Sequence, residues 1–212
     1  MATPKQQMYE KAAERLVEAL KRRQFTAEYC RSVQEAKAAA LAQIPADASV
    51  GWGGSATMDA LGVKQALRER GQKLFDRDSA PTREGQLSVM QASQLADVFL
   101  MSSNAVTQDG CLVNMDGLGN RLSALIYGPK KVIVAVGMNK LTADLPSAVS
   151  RVRNVAAPMN AQRFPGESPC RRTGLCADCL SPDCICANLV VTRFCKIPGR
   201  IHVILIGEDL GM

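Results

Sequence analysis

Apolar extended segments alternate with amphipathic helical ones along nearly the whole chain, and this alternation restricts the fold more than any other feature. Residues 5–22 place Met8, Ala12, Ala13, Leu16, Val17 and Leu20 on one helical face, with Lys and Glu opposite. "FTAEYC" (25–30) alternates as a strand does, and "SVQE" (32–35) is a capping box opening an Ala-rich helix that Pro45 closes. "ASVGWGGS" (48–55) is a short strand running into a glycine turn, followed by a helix that Gly71 stops. "KLFD" (73–76) predicts a strand and "TREGQLSVMQASQL" (82–95) a helix. Residues 96–106 and 110–117 predict neighbouring strands joined by "TQDG". A helix over 120–128, a buried strand over 130–137 and a mainly helical stretch over 144–164 follow. The segments 188–196 and 200–208 predict a strand pair around the Pro198–Gly199 turn. Repeated strand–helix alternation of this kind makes a largely parallel α/β sheet with helices on both faces.

Composition narrows the class further. At 212 residues and 47% hydrophobic content the chain can bury a substantial core, either as one domain with an appendage or as two small domains. No internal repeat or low-complexity linker divides it, so a single domain over 1–212 is expected. The net charge of +6 comes from scattered residues, with no basic run interleaved with aromatics. That argues against nucleic acid and suits an anionic small molecule. Glu10, Lys11, Glu14 and Arg15 interrupt the N-terminal segment, which is no signal peptide, and no stretch approaches the roughly 18 apolar residues of a membrane helix. A cytoplasmic protein with reduced thiols and no structural disulfide is therefore expected.

Ligands of open α/β sheets sit beyond the carboxyl ends of the strands. Two loops qualify. In Gly51-Trp52-Gly53-Gly54-Ser55 the glycines permit close backbone approach, and a helix starting near Ser55 points its amides at an anion. The same residues also suit a plain strand–helix turn with Ser55 or Thr57 as cap. In "LVNMDGLGNR" (112–121), Asn114, Asp116, Asn120 and Arg121 crowd around Gly117 and Gly119. Arg121 can fork onto a carboxylate or phosphate, and Asp116 is the candidate acid–base group. Asn and Asp also make turns without further purpose.

Four blocks, "SVGWGGSATMDALG", "LVNMDGLGNRLSALIYGPKKVIVAVGMNKL", "PCRRTGLCADCLSPDCICANLVV" and "RIHVILIGEDLG", resemble the LUD-domain (lactate-utilisation) family. The resemblance spans nearly the whole chain. It implies a three-layer fold similar to the phosphosugar-isomerase/CoA-transferase superfamily, whose loops hold phosphorylated, acyl or CoA-linked ligands. It places Gly53, Gly54, Ser55, Asn114, Asp116, Gly117, Asn120 and Arg121 at the pocket. It further implies a metabolic role near 2-hydroxy-acid oxidation, with iron–sulfur proteins as partners. Whether the chain forms a homo-oligomer stays open.

"CRRTGLCADCLSPDCIC" (170–186) packs five of eight cysteines into seventeen positions. The resemblance leads one to expect "SP-acid-RIC" where this chain has Ser181-Pro182-Asp183-Cys184-Ile185-Cys186, which marks Cys184 as a substitution. Cys170, Cys176, Cys179 and Cys186 then remain, spaced C-x5-C-x2-C-x6-C, as a four-thiolate set for Zn2+ or a [4Fe–4S] cluster. Donor type does not separate the two metals, and the family's iron–sulfur associations tilt towards the cluster. The plain alternative is a loop of reduced thiols. Cys30, Cys111 and Cys195 suit buried strand positions, with Cys195 a spare ligand only if the final hairpin folds back. His202, the single histidine, lies between Ile201 and Val203, which makes zinc ligation and Ser-His-Asp catalysis poor readings. Trp52 either lines the pocket or packs beneath the glycine loop. Two functions stay open: an enzyme or metabolic subunit acting on a small organic acid, and a non-catalytic redox-sensing or assembly module using the cysteines.

Overall fold

The computed structural model describes residues 2–212 and contains ten strands. In chain order they are β1 (Thr26–Cys30), β2 (Val50–Trp52), β3 (Leu74–Phe75), β4 (Val98–Ser102), β5 (Ala105–Thr107), β6 (Leu112–Asp116), β7 (Lys131–Gly137), β8 (Leu141–Thr142), β9 (Asn188–Thr192) and β10 (Ile201–Ile206). Six form a sheet in the order β1-β10-β7-β4-β2-β3. Every pairing in it is parallel. The other four form a smaller sheet, β8-β5-β6-β9.

The helices α1 (Pro4–Arg22), α2 (Val33–Ala42), α3 (Ala56–Leu61), α4 (Val63–Glu69), α5 (Arg83–Ala92), α6 (Asn120–Ile126), α7 (Leu145–Arg151), α8 (Ala157–Ala161) and α9 (Pro169–Thr173) complete the chain. The strand period of two divides the core between the faces of the large sheet. Phe99, Met101, Val132, Val134, Val203 and Leu205 pack with Leu16 and Leu20 of α1 and Leu125 of α6. Leu100, Ile133, Ala135, Ile204 and Ile206 pack with Ala36 and Ala40 of α2 and with Met58, Leu61 and Leu67 of α3 and α4. The result is an α/β fold of three layers. Each fully buried aliphatic side chain contributes about 1.5–3 kcal/mol before conformational entropy is set against it. Among the described residues no helix is long and apolar enough to cross a membrane.

Three expectations change. The helix after Ser55 is two helices, because Gly62 takes a left-handed conformation (φ 66°) that ends α3 and begins α4. Residues 96–106 are two strands in different sheets. At the break, Ser103 Oγ donates to the Ala105 carbonyl and Asn104 Oδ1 accepts from the Met115 amide, so side chains replace ladder bonds.

The expected C-terminal strand pair does not form. β9 runs antiparallel to β6, whereas β10 inserts between β1 and β7. Their residue patterns explain the difference. "IHVILI" is buried throughout, as a central parallel strand must be, whereas "NLVVT" is half exposed and suits an edge. Pro198 and Gly199 carry the chain from one sheet to the other.

The loops after β2, β4, β7 and β10 meet beyond the carboxyl edge of the large sheet. Gly137, at the end of β7, makes this convergence possible. A Cβ there would stand 2.8 Å from both the Glu208 carbonyl oxygen and the Leu210 nitrogen. Gly137→Ala should lower unfolding free energy by about 1–3 kcal/mol, the usual cost of overpacking against fixed backbone. A urea melt measures it, and an unchanged midpoint would show that the β10 exit can move aside.

Candidate functional site

Arg121 occupies the middle of the convergence. Its Nη1 donates to the Ser102 carbonyl at 2.7 Å and Asn114 Oδ1 at 2.9 Å. Nη2 donates to Asn104 Oδ1 at 2.9 Å and the Met115 carbonyl at 3.0 Å. Nε donates to Asp116 Oδ1 at 2.9 Å, and Nη2 lies 2.7 Å from the same oxygen. Asp116 Oδ2 accepts the amides of Arg121 and Leu122 at the start of α6. No N–H of the guanidinium is left over, so Arg121 is committed to the protein rather than free to fork onto a ligand. Asp116 is likewise committed, to Arg121 and to the first turn of α6.

The two glycines of the first loop make room for arginine side chains. A Cβ at Gly53 would lie 3.1 Å from Arg121 Cγ, and one at Gly54 would lie 2.8 Å from Arg77 Nη2. Ser55 Oγ accepts the Met58 amide, which is a capping role, and α3 has only six residues. Asn114 is fully buried, donating to Ser103 Oγ and accepting from Arg121.

A cavity of about 460 Å3 opens in front of this framework. Gly54, Ser55, Asp116, Gly117, Asn120 and Arg121 all line it; Gly53 and Asn114 stand behind the wall. Four further cations line it: Arg77, Arg83, Lys140 and Arg163. Among the described residues, Asp116, already paired, is the one acidic side chain on the wall. Positive side chains therefore outnumber acidic ones on the wall.

Lys140 stands out among these cations. It follows β7, is 2% exposed, and donates from Nζ to Thr57 Oγ1 at 2.8 Å and Ser102 Oγ at 2.9 Å. Among the described residues no carboxylate pairs with it. Burial, reinforced by the positive charges of Arg151 and Arg121, brings its pKa down to about 7. The sequence reading missed Lys140, although its place at a strand exit was a usable signal. It also missed Arg77, Arg83 and Arg163, which arrive from separate elements.

Trp52 is 1% exposed and lies in the core, with Lys64 and Arg68 over its ring, so it packs rather than lines the cavity. His202 is held between Thr26 Oγ1 on Nδ1 and Glu28 Oε1 on Nε2, within the β1–β10 pair. All eight cysteines are free thiols. Cys30, Cys111 and Cys195 are buried, the last donating from Sγ to the Ile197 carbonyl.

The other five, Cys170, Cys176, Cys179, Cys184 and Cys186, line a second cavity of about 220 Å3. Geometry gives no reason to set Cys184 apart. Burial pushes the Cys186 thiol up to about 12 and raises that of Cys184. Among the described residues, no three His, Cys, Asp or Glu side chains converge closely enough to hold a metal ion as they stand.

The LUD domain family matches the chain over residues 13–206. The chain belongs to that family. In fold, this LUD protein is similar to a DUF162 family protein from Deinococcus radiodurans, at a TM-score of 0.55 and 13% identity, covering 93% of this chain and 98% of that one. Ribose 5-phosphate isomerase A from Neisseria gonorrhoeae aligns at a TM-score of 0.34 and 16% identity, over 53% of this chain and 54% of that one. No curated protein matches the chain in sequence.

The bonding of Arg121 sets an expectation for its removal. Both members of the Arg121–Asp116 pair have side chains about nine-tenths buried, at 9% and 10% exposure. Arg121→Ala should cost about 3–5 kcal/mol of stability, the scale for stranding one partner of a buried ion pair. A variant that melts within about 1 kcal/mol of the parent would show that Arg121 is not the structural tie.

Proposed function

We propose that this LUD protein binds a small organic acid, or a phosphorylated or acyl anion, in the cation-lined cavity, with Lys140 as its acid–base group. The observation that carries this reading is a buried lysine without a carboxylate partner among the described residues, facing a cavity that Arg77, Arg83 and Arg163 also line. A buried cation lacking a protein counter-charge is costly, and an anionic ligand supplies the missing charge. Arg77, Arg83 and Arg163 can hold a carboxylate or phosphate by charge-assisted hydrogen bonds.

The chemistry follows from the amine. Neutral Lys140 has two N–H bonds and one lone pair. Thr57 and Ser102 accept the two N–H bonds, and the lone pair remains for a substrate proton. A group that titrates near neutrality can take or return a proton at ordinary pH. This assigns to Lys140 the role that the sequence suggested for Asp116, whose oxygens are engaged elsewhere. The neutral fraction of Lys140 can take the hydroxyl proton of a 2-hydroxy acid, and oxidation of that acid needs an electron acceptor in addition. A second reading, a redox-sensing or assembly module, draws support from the five thiols around one cavity.

Calorimetric titration with L-lactate and with inorganic phosphate tests the binding. A bound anion stabilises the ammonium form of Lys140, so binding is accompanied by proton uptake. Lactate is ionised throughout the relevant range. Its affinity should therefore fall as pH rises through about 7, where Lys140 titrates, with a limiting slope of about tenfold per pH unit. Lys140→Met should abolish both the slope and most of the binding. Affinity that is flat with pH and unchanged in Lys140→Met would remove Lys140 from the site.

A further inference from the structure

The stretch from Pro169 to Cys186 has little of the support that holds the rest of the chain. Between Ala161 and Cys195 no residue belongs to the buried hydrophobic core, and Leu175 and Leu180 are 71% and 100% exposed. What gathers this stretch is polar and local. Gln162 Nε2 reaches the carbonyls of Cys170 and Arg171, Arg153 pairs with Asp178, and the Cys184 amide closes a turn onto the Ser181 carbonyl. Surface contacts of this kind contribute little stability each.

Yet the stretch brings five thiols to one cavity. The remaining wall is mostly apolar, formed by Met115, Ala157, Pro158 and Leu189. Cysteines that serve only as small hydrophobes pack closed, as Cys30, Cys111 and Cys195 do at 5%, 7% and 2% exposure. Five thiols around an open space do not follow that pattern. The nearby carboxylate of Asp178 is already paired with Arg153, and the single histidine lies in the β1–β10 pair. The donor set is therefore all sulfur. Soft thiophilic metals select such a set, and four thiolates satisfy either a tetrahedral Zn2+ or a [4Fe–4S] cluster.

We infer that the five-thiol cavity is a thiolate metal centre in which four of the five cysteines bind one metal ion or cluster, and that this centre organises residues 168–188. Ligation supplies the folding energy that the missing core does not. The sulfurs ring a space instead of meeting at a point, so ligation requires four of them to draw inward. The centre also adjoins the anion cavity. Met115 lines both cavities, and Ile185, between Cys184 and Cys186, faces the anion side. This inference does not depend on the anion-binding reading, because its tests measure metal alone.

The full chain, purified anaerobically under reductant, is incubated either with Zn2+ alone or with Fe2+ and sulfide, then desalted. Retained metal, acid-labile sulfide and free thiols are counted. One zinc per chain, or iron with an equal amount of sulfide, together with the loss of four titratable thiols, supports the centre and identifies its metal. Neither metal retained, with all five thiols of the cavity still titrating, overturns it.

Because five thiols serve a four-thiolate site, any single Cys→Ser change there should keep the metal, and Cys176→Ser/Cys179→Ser should lose it. Cys30→Ala, in the distant core, should keep it. Neither Cys176 nor Cys179 belongs to a hydrophobic core cluster, so the metal-free double variant should melt with the metal-free parent. Full metal retention in the double variant also overturns the assignment.

Discussion

The guanidinium of Arg121 is the joint on which the carboxyl edge of this sheet depends. It reaches the end of β4 through Ser102, the loop beyond through Asn104, the strand β6 through Asn114 and Met115, and the start of α6 through Asp116. The large and small sheets meet at this side chain. A buried arginine is tolerable only when each N–H has a partner, and this one meets the condition. Its stem passes against Gly53, where any larger residue would crowd it. The glycine that looks like a ligand cradle is, in this fold, clearance for the joint.

That arrangement has an electrostatic consequence for the cavity in front of it. Asp116 neutralises Arg121, and among the described residues no comparable acid reaches Lys140. The lysine is instead wedged between two hydroxyls, with Arg121 and Arg151 adding positive charge nearby. Burial and like charge act in the same direction, toward the neutral amine. Arg77, Arg83 and Arg163 line the same cavity.

The layered fold was legible because the central strands are unmistakable. "KKVIVAVG" and "RIHVILIGE" are continuous apolar runs that only a sheet covered on both faces can bury. The strand pairing of β9 was not legible, since adjacency in sequence suggested a hairpin while exposure placed that strand at an edge. Much of the 112–121 loop lines the cavity, with Asn114 buried behind it. What residue types could not reveal is which donors and acceptors are already engaged, and this separates Arg121 and Asp116 as framework from Lys140 as a candidate proton carrier. Lys140 owes its environment to Ser102 and Thr57, which lie 38 and 83 residues away in sequence. No local pattern predicts such a meeting.

The protonation state of Lys140 is the central physical claim, and lysine-selective isotope labelling with NMR titration measures it directly. The account predicts one lysine side chain titrating near 7, absent in Lys140→Met and shifted upward when an anion is bound. Lysine signals that all titrate above about 10, as free lysines do, would contradict it.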